Sequence, residues 1–187
     1  MRIEEIPGRA FLDTSSLNFI LEYGECIFDA LEPSETLSRR IIDDINAFYN
    51  IFLTGQRATW QLAISPFTYK EVISTQEVSK KYYLEKWFMD VWHYWLNIIE
   101  ENDDLPSFIE AERIKIDLLS SGVLDTLPDI EDRILICDAV VYKCDCFCTR
   151  DYRTILKHRE DMTSLPIKIV TPTEWWNLIK PYASLWV

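Results

Sequence analysis

The chain has 187 residues and a net charge of −12, with 48% of residues apolar and 13% aromatic. That much apolar mass builds one domain with a real core and excludes intrinsic disorder. The acidity excludes a general nucleic-acid coat, which needs a basic face, but not a metal-dependent site, where bound cations reverse the local charge.

Glycine is scarce, at four residues, and neither a GxGxxG fingerprint nor a P-loop occurs. No basic-then-apolar leader opens the chain and no apolar run is long enough to span a bilayer, so a cytoplasmic protein without a membrane partner is expected. Five cysteines, odd in number and clustered, suit a reducing compartment.

The first element, Arg9 to Leu12, reads as a buried strand that ends in Asp13 and three hydroxyl residues, where a strand hands over to a helix. Asp13 there is either a helix cap or a metal ligand. From Glu35 to Thr54, Leu37, Ile41, Ile45, Phe48 and Phe52 recur at helical spacing, and Gly55 ends the run. Thr59 to Ser65 reads as a second buried strand stopped by Pro66. The helix that follows holds Thr68 and Glu71 at capping-box spacing, so Glu71 either caps that helix or joins Asp13 at the sheet edge.

Residues 70–102 read as one long or broken helix dense in aromatics, including Tyr82, Tyr83, Trp87, Phe88, Trp92, Tyr94 and Trp95. Phe88, Trp92 and Trp95 share one face by their i, i+4, i+7 spacing. The stripe serves as core or as an interface with a second copy or another protein, because aromatics are enriched in both. A further helix is expected from Pro106 to Ser121, closed by Gly122.

Asp129 is a natural cap for a helix running to about Tyr142, with Glu131 and Asp132 in its first turn. Asp132 and Asp138 stand about 120° apart around that helix and ~9 Å apart along it, so they cannot both enter one small site. Cys144, Cys146 and Cys148 alternate along the next strand. Zinc sites favour CxxC pairs, and only His93 and His158 could help, so these thiols read as small core residues. The strand ends in Thr149, Arg150 and Asp151, placing an acid at its C-terminal end, where open α/β sheets bind ligands. A last strand from Leu165, a Thr-Pro turn and a helix from about Thr173 close the chain.

Four stretches in this order resemble the PIN-domain family of metal-dependent nucleases: Phe11 to Leu17, Ile64 to Glu71, Asp132 to Asp151, and Ile169 to Glu174. The resemblance covers the chain outside about residues 80–128. Lys143 stands where the family usually has glycine, Asp138 is an extra acid, and the aromatic helical insertion at about 80–128 is longer than in compact members. The resemblance implies a single domain over residues 1–187, a three-layer α/β/α sandwich with a mostly parallel central sheet. It further implies a catalytic and metal-binding set of Asp13, Glu71, Asp132 and Asp151 holding Mg2+ or Mn2+. Thr14, Ser15 and Thr149 would support those acids from behind, and Asp138 is either a further support with a buried partner or a rival ligand. Arg150, Arg153, Lys157 and Arg159 are the candidate phosphate contacts.

The expected activity is hydrolysis of single-stranded RNA by water activated between clustered carboxylates and divalent ions. A VapC-type toxin would add an antitoxin-like inhibitor as partner, and a homodimer is a further expectation. Two alternatives stand beside it: a non-catalytic PIN-like interaction or assembly module, and a phosphoryl-transfer enzyme with Asp13 as nucleophile. The latter usually carries Asp-x-Asp, and Ser15 occupies the second acid's position.

Overall fold

Apolar strand residues pair where both faces of a sheet are covered, and the computed structural model forms such a sheet. It describes residues 6–58, 60–73, 78–101 and 104–186. Thr59, residues 102–103 and the side chains of Tyr82 and Tyr83 lie outside the described residues. The strands are β1 (Arg9–Leu12), β2 (Gln61–Ala63), β3 (Cys146–Cys148) and β4 (Lys168–Val170), all parallel, in the order β2-β1-β3-β4.

The chain between them forms helices. After β1 come α1 (Thr14–Glu22), α2 (Gly24–Phe28) and α3 (Arg39–Gly55); after β2 come α4 (Pro66–Ile73), α5 (Val78–Glu101), α6 (Phe108–Ser120) and α7 (Ile130–Val141). A short α8 (Ile155–His158) links β3 to β4, and α9 (Pro172–Ile179) follows β4. The step from β1 to β2 and the step from β2 to β3 cross the sheet in opposite directions. Right-handed crossovers therefore put their helices on opposite faces, giving a three-layer α/β/α sandwich. On one side α3 packs against α9; on the other α7 packs on β3 and α6 on α7.

The core explains the strand composition. Phe11 and Phe147, paired across β1 and β3, stack with centroids 5.3 Å apart, and both are fully buried. Each such side chain contributes roughly 1.5–3 kcal/mol on burial. Cys144, Cys146 and Cys148 are buried free thiols, filling space between larger neighbours as their spacing suggests. Asp145, facing the other way, accepts hydrogen bonds from the amides of Gly8 and Arg9 (2.8 and 2.9 Å) and fixes where β1 begins.

One local expectation changes. The helix after β2 starts at Pro66, ahead of Thr68, whose buried Oγ1 has no hydrogen-bond partner among the described residues. Thr68 and Glu71 therefore form no capping box; the amide of Phe67 donates to Ser65 Oγ instead (3.1 Å). The aromatic helix packs into the core, one of the two roles expected for its stripe. Phe88 and Trp95 of α5 are fully buried, Trp87 and Trp92 are partly buried against the core, and Trp95 meets Tyr142 edge-on at 5.2 Å. Of these aromatics only Tyr94 is largely exposed among the side chains described. No helix among the described residues is long and apolar enough to cross a membrane.

Lys143 adopts φ +52°, the left-handed conformation that favours glycine. It sits just past the end of α7, where its amide donates to Val140 O and that of Cys144 to Ala139 O, the two bonds of a Schellman motif. The backbone thus demands a left-handed residue where this chain has lysine.

Candidate functional site

In the strand order β2-β1-β3-β4 the chain leaves β1 toward one edge and reaches β3 on the other side. The crevice between the C-terminal ends of β1 and β3 is therefore the topological switch point, where ligands bind in open α/β sheets. Asp13 follows β1 and Thr149 to Asp151 follow β3, so sequence order alone delivers both segments to this crevice.

Asp13 caps α1: its Oδ1 accepts the amide of Ser16 at 2.7 Å. It is also buried, and its remaining capacity is taken by hydroxyls. Ser15 Oγ lies 2.9–3.0 Å from both carboxylate oxygens, and Thr149 Oγ1 donates to Oδ2 at 2.6 Å. Burial pushes the Asp13 carboxyl above its ordinary range, while the donors from Thr149, Ser16 and Ser15 pull the other way. Asp13 is thus a helix cap, and the same carboxylate is held by Ser15 and Thr149 at the switch point.

Thr149 carries the link onward. Its hydroxyl, which donates to Asp13, accepts the amide of Asp151 at 3.0 Å, so it orients Asp151 through the backbone. Asp151 in turn closes a local turn, with Oδ1 accepting the amides of Arg153 and Thr154 at 2.9 and 3.0 Å. Thr154 Oγ1 donates to Asp151 Oδ2 and lies 3.2 Å from Asp132 Oδ2. One hydroxyl has one proton, so it cannot serve two ionised carboxylates at once. The Asp132 carboxyl is pushed up to about 6, by burial first and then by the charge of Asp151, with Asp129 and Asp13 adding smaller repulsions. Three of the expected acids therefore share one electrostatic neighbourhood.

Glu71 approaches from α4. It accepts a hydrogen bond from Thr14 Oγ1, the first residue of α1 and the neighbour of Asp13. Asp138 goes elsewhere, as the geometry of α7 requires: it is buried, accepts from Ser65 Oγ at 2.5 Å and pairs with Lys115 Nζ of α6 at 2.7 Å. It ties α6 to the core, and neither bond reaches the four acids. Glu131 is exposed.

The four basic residues divide into two pairs. Arg150 Nε bonds Asp44 Oδ2 at 2.8 Å and its guanidinium lies 3.6 Å from the centroid of the Phe19 ring. Arg159 holds both oxygens of Glu174 at 2.7 and 2.9 Å. Arg153 and Lys157 are exposed. Sequence reasoning missed Asp44, a buried carboxylate on α3 that also accepts Thr173 Oγ1 at 3.0 Å, and it missed Thr154. The D-x-x-T spacing from Asp151 to Thr154 was a readable turn signal; the pairing of Asp44 with Arg150, 106 residues apart, left none.

Carboxylates and hydroxyls are the donor set that hard divalent cations prefer. The charge of Asp151, which adds to burial in raising the Asp132 carboxyl, is a cost that a bound cation would relieve. Yet among the described residues no three Asp, Glu, His or Cys side chains are gathered closely enough to hold one ion. Coordination would require carboxylates to rotate away from Thr149 and Thr154. A cavity of about 580 Å3 opens at α1, α2 and Trp87, and none of the four acids lines it. Compared with known proteins, the chain matches no family model, no curated protein and no solved structure.

Proposed function

We propose that the chain is a PIN-like, metal-dependent endoribonuclease that hydrolyses single-stranded RNA with Mg2+ or Mn2+ held by Asp13, Glu71, Asp132 and Asp151. The observation that carries this reading is the placement of Asp13, Asp132 and Asp151 about the switch point of the sheet, where burial and then the charge of Asp151 raise the Asp132 carboxyl. Like charges brought together at a cost are usual where a protein is arranged for function rather than stability. When bound, the cation supplies Lewis acidity and lowers the pKa of an attacking water. The chain's own part is to aim the carboxylates: Ser15 and Thr149 hold Asp13, Thr149 sets the Asp151 turn, Thr14 holds Glu71, and Thr154 spans Asp151 and Asp132. Arg153 and Lys157 would take the phosphates. A toxin of this kind would be cytoplasmic and be kept silent by an inhibitor protein.

The test is cleavage of a labelled, unstructured RNA with Mg2+, Mn2+ or a chelator. Cleavage should need the divalent ion and should be lost in Asp13→Asn and Asp151→Asn. Cleavage that persists in Asp13→Asn, or its absence with either ion, removes the reading.

One observation favours a second reading, a non-catalytic interaction module acting with a second copy or another protein. Phe108, Ile109 and Ile116 of α6 are 80%, 81% and 62% exposed, and exposed apolar groups in company mark interfaces. A monomer in light scattering would remove the second-copy form of this reading.

A further inference from the structure

The residue after Asp151 has no part in the chemistry above. Tyr152 is 37% exposed, and it keeps that surface although the guanidinium of Arg40 lies over its ring, 4.6 Å from the centroid. Arg40 is itself exposed, on the first turn of α3. The Tyr152 amide donates to Arg150 O at 3.0 Å, so the ring is carried on the same turn that presents Asp151.

The carboxylates that act on this ring are paired with arginines. Two carboxylates act on the Tyr152 phenol, Asp44 and Glu174, and each is neutralised by an arginine, Asp44 by Arg150 and Glu174 by Arg159. Burial, the largest influence, and those carboxylates hold the phenol above its ordinary pKa, so it stays uncharged at neutral pH. Arg40, Arg153 and Lys157 remain at the surface. A chain of net charge −12 thus keeps an exposed cation, Arg40, against the aromatic ring that follows Asp151.

We infer that Tyr152, backed by Arg40, is a stacking platform for an unpaired nucleobase, positioned one residue from Asp151 so that the neighbouring phosphodiester reaches the acids. An aromatic ring offers its face to any base, and a cation against the ring adds attraction for the phosphate. In a duplex the faces of each base are already covered by its neighbours, so the platform selects single strands. The inference deepens the nuclease reading and rests on it for the class of ligand. Stacking does not distinguish ribose from deoxyribose, so the ligand chemistry is a single strand of either sugar.

The test is fluorescence anisotropy with short labelled oligonucleotides in a chelator, where no cleavage occurs: single-stranded RNA, single-stranded DNA of the same sequence, and the duplex. Tyr152→Ala should weaken single-strand binding about 5- to 150-fold, the range for losing one stacked base. Tyr152→Phe should bind as wild type does. Arg40→Ala should flatten the salt dependence by about 0.7 in log–log slope, the value for one single-strand phosphate contact. An RNA carrying 5-iodouracil should crosslink to Tyr152 in the wild-type protein, which keeps the test independent of whether Tyr152→Ala folds. Unchanged binding by folded Tyr152→Ala, duplex bound as tightly as single strand, no single-strand binding, or a crosslink confined to other residues each overturns the platform. Tyr152-dependent binding without cleavage in Mg2+ or Mn2+ keeps the platform and removes the nuclease; cleavage by Tyr152→Ala with wild-type KM does the reverse.

Discussion

Asp132→Asn tests the acidic crevice without any substrate. The Asp132 carboxyl rises from 3.8 to about 6, burial being the first cause and Asp151 the second. At 1.36 kcal/mol per pH unit this bounds the cost of ionising it in the folded protein at about 3 kcal/mol. The residue is only half-buried, so solvent screening reduces the figure to about 1–2 kcal/mol. A folded-state value above the unfolded one means that Asp132 favours folding below about pH 4 and that the contribution is lost as pH rises through about 6. Asparagine carries no charge and still offers an oxygen to Thr154 Oγ1. The variant should therefore melt about 2–8 °C above wild type at neutral pH without metal, given about 2–4 °C per kcal/mol for a chain of this size. Near pH 4, where wild-type Asp132 is protonated, the two should melt together. Mg2+ or Mn2+ should raise the wild-type melting temperature and narrow the gap, because a ligand of the folded state stabilises it. A variant that is less stable at neutral pH, or a gap that does not change between the two pH values, would refute the crowding of Asp132.

Other substitutions probe the rest of the site and its supports. Glu131→Gln, at an exposed position beside Asp132, should leave stability within about 0.5 kcal/mol and leave RNA cleavage intact, whereas Asp132→Asn should not cleave; the opposite result puts the wrong acid in the site. Asp138→Asn should cost about 2–4 kcal/mol in chemical denaturation, because it strands the Lys115 ammonium beside a buried group, while cleavage per folded molecule stays normal. Lys143→Gly should stabilise by about 0.5–1 kcal/mol, relieving a left-handed lysine, even though the bond from its ammonium to Asp104 O is lost; a destabilised variant would mean that this exposed bond outweighs the backbone.

The sheet was legible because buried parallel strands leave short apolar runs with hard stops: Asp13 after β1, Pro66 after β2, Thr149 after β3 and Thr171 after β4. Helix caps were legible for the same local reason, as at Asp129 and Gly122. The divergence of Asp132 and Asp138 also followed from helical geometry, and the structure sends one to Thr154 and the other to Lys115. What sequence could not supply was long-range partnership. Nothing local tells that Glu71 meets Thr14 rather than Thr68, that Asp44 receives Arg150, or that Arg40 lies on Tyr152. Arg150 illustrates the limit: beside an acidic site it reads as a phosphate contact, but its guanidinium is held by a buried carboxylate and an aromatic ring.

That same pair explains how the crevice is held in shape. A buried ion pair adds little net stability, since desolvation offsets the attraction, and its attested value is to fix an arrangement. Asp44 receives Arg150 from the exit of β3 and Thr173 from the start of α9, so one carboxylate on α3 joins three elements. The backbone of Arg150 meanwhile donates to Ser15 Oγ at 2.9 Å, and Ser15 bonds Asp13. Side chain and main chain of one residue thus lock the β3 exit both to α3 and to the cap of α1. With Arg150 fixed, Thr149 and Asp151 on either side have little freedom, and their bonds to Asp13 and Thr154 follow from that constraint. The repulsion of Asp132 by Asp151, Asp129 and Asp13 is therefore borne by a frame whose own charges are paired.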